Sequence, residues 1–338
     1  AGQTAGKELT LFQLNIWEEC GHNSTDGYSA FQSLVDQIVA LEPDFATFCE
    51  LYKNGDDMVM KKLVAALKER GLTYYAETGF GKGGGGARGL LSKYPIEETE
   101  LINSWMFKGV CNVDGKRIAI YPSHSNYVYY SCYYPRGYND GGGNSGWEKL
   151  PDGPNTDVSE ILERNALSGR PESAREFVEN AKKELDKGAI VILAGDLNEP
   201  SHLDWVESTK DMFEHNGCIV PWQTSLLLTE SGFIDAFRQM YPDPATHPGL
   251  TWPVNNKGIP VSDLAWAAEA DERDRIDYIY YYPDSRFSLV DIKMVGPTGT
   301  IVRGERVAAD TQEPIIDQAG EHWPSDHRGL LMTIRWNE

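Results

Sequence analysis

The chain has 338 residues, of which 41% are hydrophobic and 11% aromatic, enough for a large core. Its 51 acidic and 31 basic residues leave a formal net charge of -20, which argues against a broad electrostatic grip on DNA or RNA, since that relies on cationic side chains displacing counterions. No apolar run approaches the roughly 20 residues of a membrane-spanning helix.

The chain opens with "AGQTAGKELT", a small and polar start that matches what signal-peptide removal leaves; the expectation is a secreted or periplasmic protein. "LTLFQLNIW" reads as the first strand. Over 28–41 the spacing of Tyr28, Phe31, Val35 and Ile38 predicts a helix, and "PDFATFCE" a second strand. "DDMVMKKLVAALKER" reads as a helix that stops at Gly71. "LTYYAE" and "ARGLLSKYPI" read as strands around "GFGKGGGG", a glycine run that lacks the GxxxxGK[ST] order and following helix of a phosphate loop. "KRIAIYPSH" alternates like a strand. Residues 136–156, dense in Gly, Asn, Asp and Pro, predict a long loop, either functional or disordered. A helix is expected over 171–187, with Ala174, Phe177, Val178, Ala181 and Leu185 facing the core. "AIVILAGDLN" is expected as a strand buried on both faces, "GFIDAFRQMY" as a short helix, and "RIDYIYYYP" and "GLLMTIRW" as the last strands. Several strands follow one another without a helix between them, which favours an α/β sandwich of mixed sheets over a doubly wound parallel one.

Cysteines stand at 20, 49, 111, 132 and 218. Their number is odd and no CxxC pair occurs, so buried free thiols are expected rather than a disulfide framework or a zinc site.

Many of these strands end in polar residues: Asn15, Glu50, His124, Asp196 with Asn198, Asp277, and Asp326 with His327 just before the last strand. Burying any of these groups unpaired costs a few kcal/mol, so together they point to one site where strand ends converge. Carboxylates and amide oxygens suit a hard cation such as Mg²⁺ or Mn²⁺, as one or two ions. Such an ion stabilises charge in an in-line displacement at phosphorus.

The ordered set "QLNIW", "ATFCE", "GLLSKYPI", "YPSH", "AGDLNEP", "DRIDYIY" and "SDHRG" resembles the endonuclease/exonuclease/phosphatase family, which includes deoxyribonuclease I, abasic-site endonucleases and neutral sphingomyelinases. "NEPSHLDW" and "YYPRGYN" look more like an extracellular bacterial subgroup than like the nucleases. The resemblance implies a four-layered α/β sandwich, with two packed mixed sheets flanked by helices. It also implies one catalytic domain over 9–338 behind a tail at 1–8, and a metal-dependent phosphoesterase. By position, Glu50 matches the principal metal ligand, with Asn15 and Asp326 beside it. Asp196 matches the carboxylate that orients or deprotonates the attacking water, held by Asn198. His327 matches the histidine at the scissile phosphate, oriented by Asp277, and His124 a second phosphate-contacting histidine. At that last place a rival register would put Cys132.

For substrate contacts the sequence offers Arg88, Arg136 and Tyr138, the last two with Tyr133 and Tyr134. The segments around Trp205, Trp222, Trp252 and Trp266 and the 136–156 loop are where specificity is expected. His22, His202, His215, His247 and His322 read as structural. The substrate expected is a phosphodiester or phosphomonoester, a small molecule or phospholipid head group ahead of duplex DNA. The competing functions are a nuclease of the same family, a metal-free glycosidase using Glu50 with Asp196, and a catalytically silent binding protein.

Overall fold

The computed structural model describes residues 6–51, 58–79 and 87–337. Strands β1 (Glu8–Asn15), β2 (Phe45–Cys49), β3 (Tyr75–Gly79), β4 (Arg88–Ser92), β5 (Ile96–Asn103), β6 (Met106–Val113) and β7 (Lys116–His124) occupy the first half. Then come β8 (Ile190–Asp196), β9 (Ile234–Asp235), β10 (Asp277–Tyr281), β11 (Phe287–Val295), the hairpin β12 (Thr300–Val302) and β13 (Glu305–Val307), β14 (Ile315–Ile316) and β15 (Gly329–Trp336). One sheet has the order β14-β11-β15-β1-β2-β4-β3 and the other β5-β6-β7-β8-β10-β9. Both are mixed: β1 with β2 and β7 with β8 run parallel, while β1 with β15 and β8 with β10 run antiparallel.

The strands alternate, as a two-residue side-chain period requires. In β1, Leu9 and Leu11 face the second sheet, while Phe12 and Leu14 face the helices Ala30–Leu41 and Met58–Glu69. In β8, Ile190, Ile192 and Ala194 face the first sheet, while Val191 and Leu193 pack on the helix Arg170–Asp186 through Phe177 and Ala181. Helices, sheet, sheet and helices thus form four layers, the expected α/β sandwich. No helix among the described residues is long and apolar enough to cross a membrane.

Some elements differ from expectation. The first helix starts at Ala30, because Ser29 caps it by accepting from the Gln32 amide at 3.2 Å, and Tyr28 falls outside. "GFIDAFRQMY" splits into β9, which pairs with β10, and one helical stretch, Ala236–Met240. The 136–156 loop is built rather than open: Tyr138 bridges to Lys149, and Asp140 accepts from Ser131 and from Nε and Nη2 of Arg164. The glycine run over 81–86 lies outside the described residues. All five cysteines are free and buried.

Candidate active site

Extending the alternation to the strand ends explains the site. In β1 the row Leu9, Leu11, Gln13 finishes at Asn15. In β7 the row Ile118, Ile120 finishes at His124, in β8 Ile190, Ile192, Ala194 finishes at Asp196, and β10 begins with Asp277 on the row of Ile279. These four apolar rows, which fill the space between the sheets, therefore end in a polar group at the same end. Pairing fixes them laterally, since Asp196 lies opposite Asp277 in the antiparallel pair and beside His124 in the parallel pair.

Asn15 sits between two carboxylates. Its Nδ2 donates to Glu50 Oε2 and, at 3.0 Å, to Asp196 Oδ2. The Trp17 amide donates to its Oδ1 at 2.8 Å, which sets which end of the side-chain amide is the donor. Glu50 follows β2 with φ +60°, and its Oε1 accepts from the Glu18 amide at 3.2 Å. Residues Trp17, Glu18, Glu19 and Cys20 all have φ between 50° and 65°. A run of left-handed residues is costly for L-amino acids and is retained where the surroundings over-determine it, commonly at functional sites.

Asp196 is fixed from several sides. Its Oδ1 accepts the Asn198 amide at 2.9 Å, and Asn198 Nδ2 donates to Ser125 O at 2.8 Å. His124 Nε2 stands 3.8 Å and His327 Nε2 3.6 Å from Asp196 Oδ2. His327 Nδ1 meets Asp277 Oδ2 at 2.8 Å, so Asp277 is not spent on Arg273 or Arg275. Those arginines pair with Asp271 and Asp310, and with Asp204 and Asp235. Asp326 accepts Trp252 Nε1 at 3.1 Å on Oδ2.

The electrostatics follow from crowding acids in a dry place. Loss of water, then the like charge of Asp326, pushes Glu50 up to about 7. Burial, then Asp277, raises Asp196, and burial raises Asp326. Burial works against a charged His327, but Asp277, Asp196 and Asp326 together outweigh it and hold the imidazole well above its ordinary range. Glu50, Asp196, Asp277 and Asp326 thus crowd four carboxyls into one buried place, which favours protons or a cation among them.

The cleft above these groups has a volume of about 400 Å³. Its floor is Glu50, His124, Asp196, Asn198, Asp326 and His327, and its walls are aromatic: Trp17, Tyr130, Tyr133 and Trp252, with Tyr127, Trp147 and Trp266 at the mouth. Tyr127 and Trp266 are roughly half exposed, at 48% and 47%. None of the lining residues among those described is Lys or Arg.

The three substrate-contact candidates do not reach this cleft. Arg88 lies buried in β4 and donates to the His124 carbonyl at 2.8 Å, supporting the site from behind. Arg136 is locked on Asp274 by contacts of 2.8 and 3.1 Å, a bidentate pair buried with its partner. The Tyr138 hydroxyl accepts the Glu269 amide at 3.0 Å. Cys132 is buried against Asp274, at 3.5 Å, not at the place of His124. Of the four tryptophans singled out, Trp252 and Trp266 line the cleft, whereas Trp205 and Trp222 are core. Trp147 comes from the 136–156 loop, where specificity is expected, and Tyr133 from the aromatic patch; Trp17, Tyr127 and Tyr130 are additions, with the aromatic density of "YVYYSCYY" the sequence signal for the last two.

The endonuclease/exonuclease/phosphatase family model matches residues 12–327. The chain belongs to this family. Its members are divalent-metal-dependent hydrolases of phosphoester bonds. In fold the chain is similar to an endonuclease/exonuclease/phosphatase protein from Beutenbergia cavernae (13% identity, 97% of this chain and 72% of that one, TM-score 0.53). It is also similar to D. rerio TDP2 complexed with a single-strand DNA product (16%, 97% and 99%, 0.51) and to the catalytic domain of human Nocturnin with bound sulfate (13%, 97% and 94%, 0.53). A Caenorhabditis elegans relative, "Uncharacterized protein F14F9.5", is 40% identical over 92 residues, so the match spans 27% of this chain and 27% of that protein.

The family's metal fits the residues present. Asp326 Oδ1 is buried with no hydrogen-bond partner, and the charge of Asp326 adds to burial in raising Glu50. A cation between them would satisfy both with the carboxylate oxygens that hard ions prefer, while Asn15, whose Nδ2 faces Glu50 and whose Oδ1 accepts from Trp17, holds the Glu50 carboxylate in place and is not itself turned as an oxygen ligand.

Proposed function

We propose that the protein hydrolyses a phosphate ester, with Mg²⁺ or Mn²⁺ as its cation. The observation that carries this reading is the set gathered on Asp196: Asn15 joins it to Glu50, His327 and His124 stand 3.6 and 3.8 Å from it, Asp277 holds His327, and Asp326 lies 3.9 Å from His327. A divalent cation bound by Glu50 and Asp326 would neutralise charge on the phosphoryl oxygens. His327, kept cationic by Asp277, donates from Nε2 to a phosphoryl oxygen as charge gathers there. Asp196, aimed by the Asn198 amide and Asn15, orients the attacking water and takes its proton; a carboxylate of raised pKa is better matched to that task near neutrality. His124 donates to a second phosphoryl oxygen.

We further propose a substrate with a single phosphate ester on a flat or apolar group, a small molecule or lipid head group ahead of duplex DNA. A cleft walled by aromatic rings, without Lys or Arg among its described lining residues, on a chain of net charge -20, suits such a ligand and suits a polyanion poorly. A second reading has one observation in its favour. The rings of Tyr127, Trp147 and Trp266 lie 4.9 to 6.3 Å apart at the mouth and could stack the bases of a single strand. The test is a panel of phosphate mono- and diesters and single-stranded oligonucleotides, offered to chelator-stripped protein with Mg²⁺, Mn²⁺ or Ca²⁺ restored. Hydrolysis that survives chelation would favour a Glu50–Asp196 glycosidase-type pair, and metal binding at Glu50 without turnover a silent binding protein.

A further inference from the structure

At the carboxylate floor lies a donor set that joins one group the proposed reaction does not use, Cys49, to two that it does, His124 and Asp196. Cys49 ends β2 on the row of Phe45 and Thr47, which faces the space between the sheets; Thr47 there donates to Gln13 at 2.8 Å. Its thiol therefore points up that space toward β7 and β8. Cys49 Sγ, a ring nitrogen of His124 and a carboxylate oxygen of Asp196 all lie within 4.8 Å of one another, and all three residues are buried. Three strands deliver them: β2 is held beside β1 with Cys49 opposite Asn15, and the parallel pair β7–β8 sets His124 beside Asp196.

We propose that Cys49, His124 and Asp196 form a site for a thiophilic divalent cation of the zinc class, distinct in donor chemistry from the all-oxygen surroundings of Glu50. Thiolate, imidazole and one carboxylate suit Zn²⁺, which takes such ligands at about 2.0 to 2.3 Å and prefers four of them in a tetrahedron. Tetrahedral donors at those bond lengths stand about 3.3 to 3.8 Å apart, so side-chain rotations that draw the triad together by about an ångström complete three corners. The fourth opens on the cleft, which His124 and Asp196 line. Mg²⁺ has no use for a thiolate, whereas binding strength along the divalent series favours the softer ion at a sulfur-containing set. Metal binding displaces the thiol proton, which passes to solvent. Resting on the phosphoesterase reading, the consequence is inhibition: zinc bound here occupies the carboxylate that directs the water and the ring that contacts phosphate.

The test uses Co²⁺ as a spectroscopic substitute on the reduced full chain, without substrate. The expected result is a near-ultraviolet thiolate-to-cobalt charge-transfer band with tetrahedral visible bands, abolished by stoichiometric Zn²⁺ and persisting in excess Mg²⁺. In Cys49→Ser, which keeps the volume, the charge-transfer band should vanish and Zn²⁺ affinity measured by calorimetry should fall by at least the roughly 10- to 100-fold typical of a lost supporting group. Octahedral Co²⁺ spectra without a thiolate band in the wild-type chain would overturn the site, whatever the variant does. Zinc binding with the thiolate band but undiminished turnover of a Mg²⁺-supported substrate would leave the site standing and overturn its inhibitory role.

Discussion

At the residue scale, His327 and Asp277 stand or fall together. The 2.8 Å contact between them keeps the ring charged and aimed, so His327→Ala should lower kcat by about 10² to 10⁴, the usual range for a lost acid–base group. Adding Asp277→Ala should cost little more, because residues that act as a unit are not additive; additive losses in steady-state kinetics would mean that Asp277 does something other than hold His327. Glu50 makes a second expectation, with a definite sign. An unfolded glutamate titrates near 4.3, whereas this one is pushed up to about 7. The folded metal-free protein thus keeps a proton that the unfolded chain loses, so its stability falls as pH rises through that window. The raised Asp196 acts in the same direction, and His327 does so at higher pH. A bound cation removes the penalty, so the rise in Tm on adding Mn²⁺ should be larger near pH ~8 than near pH ~5, where protons compete for the ligands. Equal shifts at both would place the metal away from these acids.

At the element scale, the site depends on the register of β7, β8 and β10, which sets His124, Asp196 and Asp277 side by side, and Gly195 guards it. A Cβ there would lie 2.0 Å from the Ser123 carbonyl oxygen of β7. Gly195→Ala must part β7 from β8 at the residues that place His124 and Asp196. It should lose about 1 to 3 kcal/mol, the scale of overpacking, in urea unfolding, and turnover as well. An unchanged unfolding midpoint would show that the strands tolerate separation. The same rows explain what was legible in the sequence. β1, β7, β8 and β10 stood out because strong apolar alternation ended abruptly in Asn, His or Asp. β5 did not, because it is mostly exposed and reads "IEETELIN". β11 did not, because a register shift between Leu289 and Asp291 interrupts its pattern. The helix Val158–Ala166 buries only Ile161 and Asn165, too little for a periodic signal. Arg88 and Arg136 were offered to substrate because nothing local reveals partners such as Asp274, 138 positions from Arg136.

At the scale of the whole molecule, the site exists because two sheets meet: Asn15 and Glu50 come from one, His124, Asp196 and Asp277 from the other. The cleft between them carries aromatic walls and acidic ends on a chain of net charge -20. Its substrate affinity should therefore depend weakly on salt. Raising salt fourfold should change kcat/KM by far less than the roughly 10³- to 10⁵-fold loss seen for proteins that neutralise six to ten phosphates; a steep slope would point to a polyanionic substrate gripped elsewhere. Whether Glu50 and Asp326 hold a divalent cation for phosphoester hydrolysis is decided by turnover on the phosphate-ester panel before and after chelation, in the wild-type chain and in Glu50→Gln. Hydrolysis should be lost on chelation, return with Mg²⁺ or Mn²⁺, and in Glu50→Gln need much more metal to return. Hydrolysis that persists in chelator, or a Glu50→Gln chain with unaltered metal dependence, would contradict it.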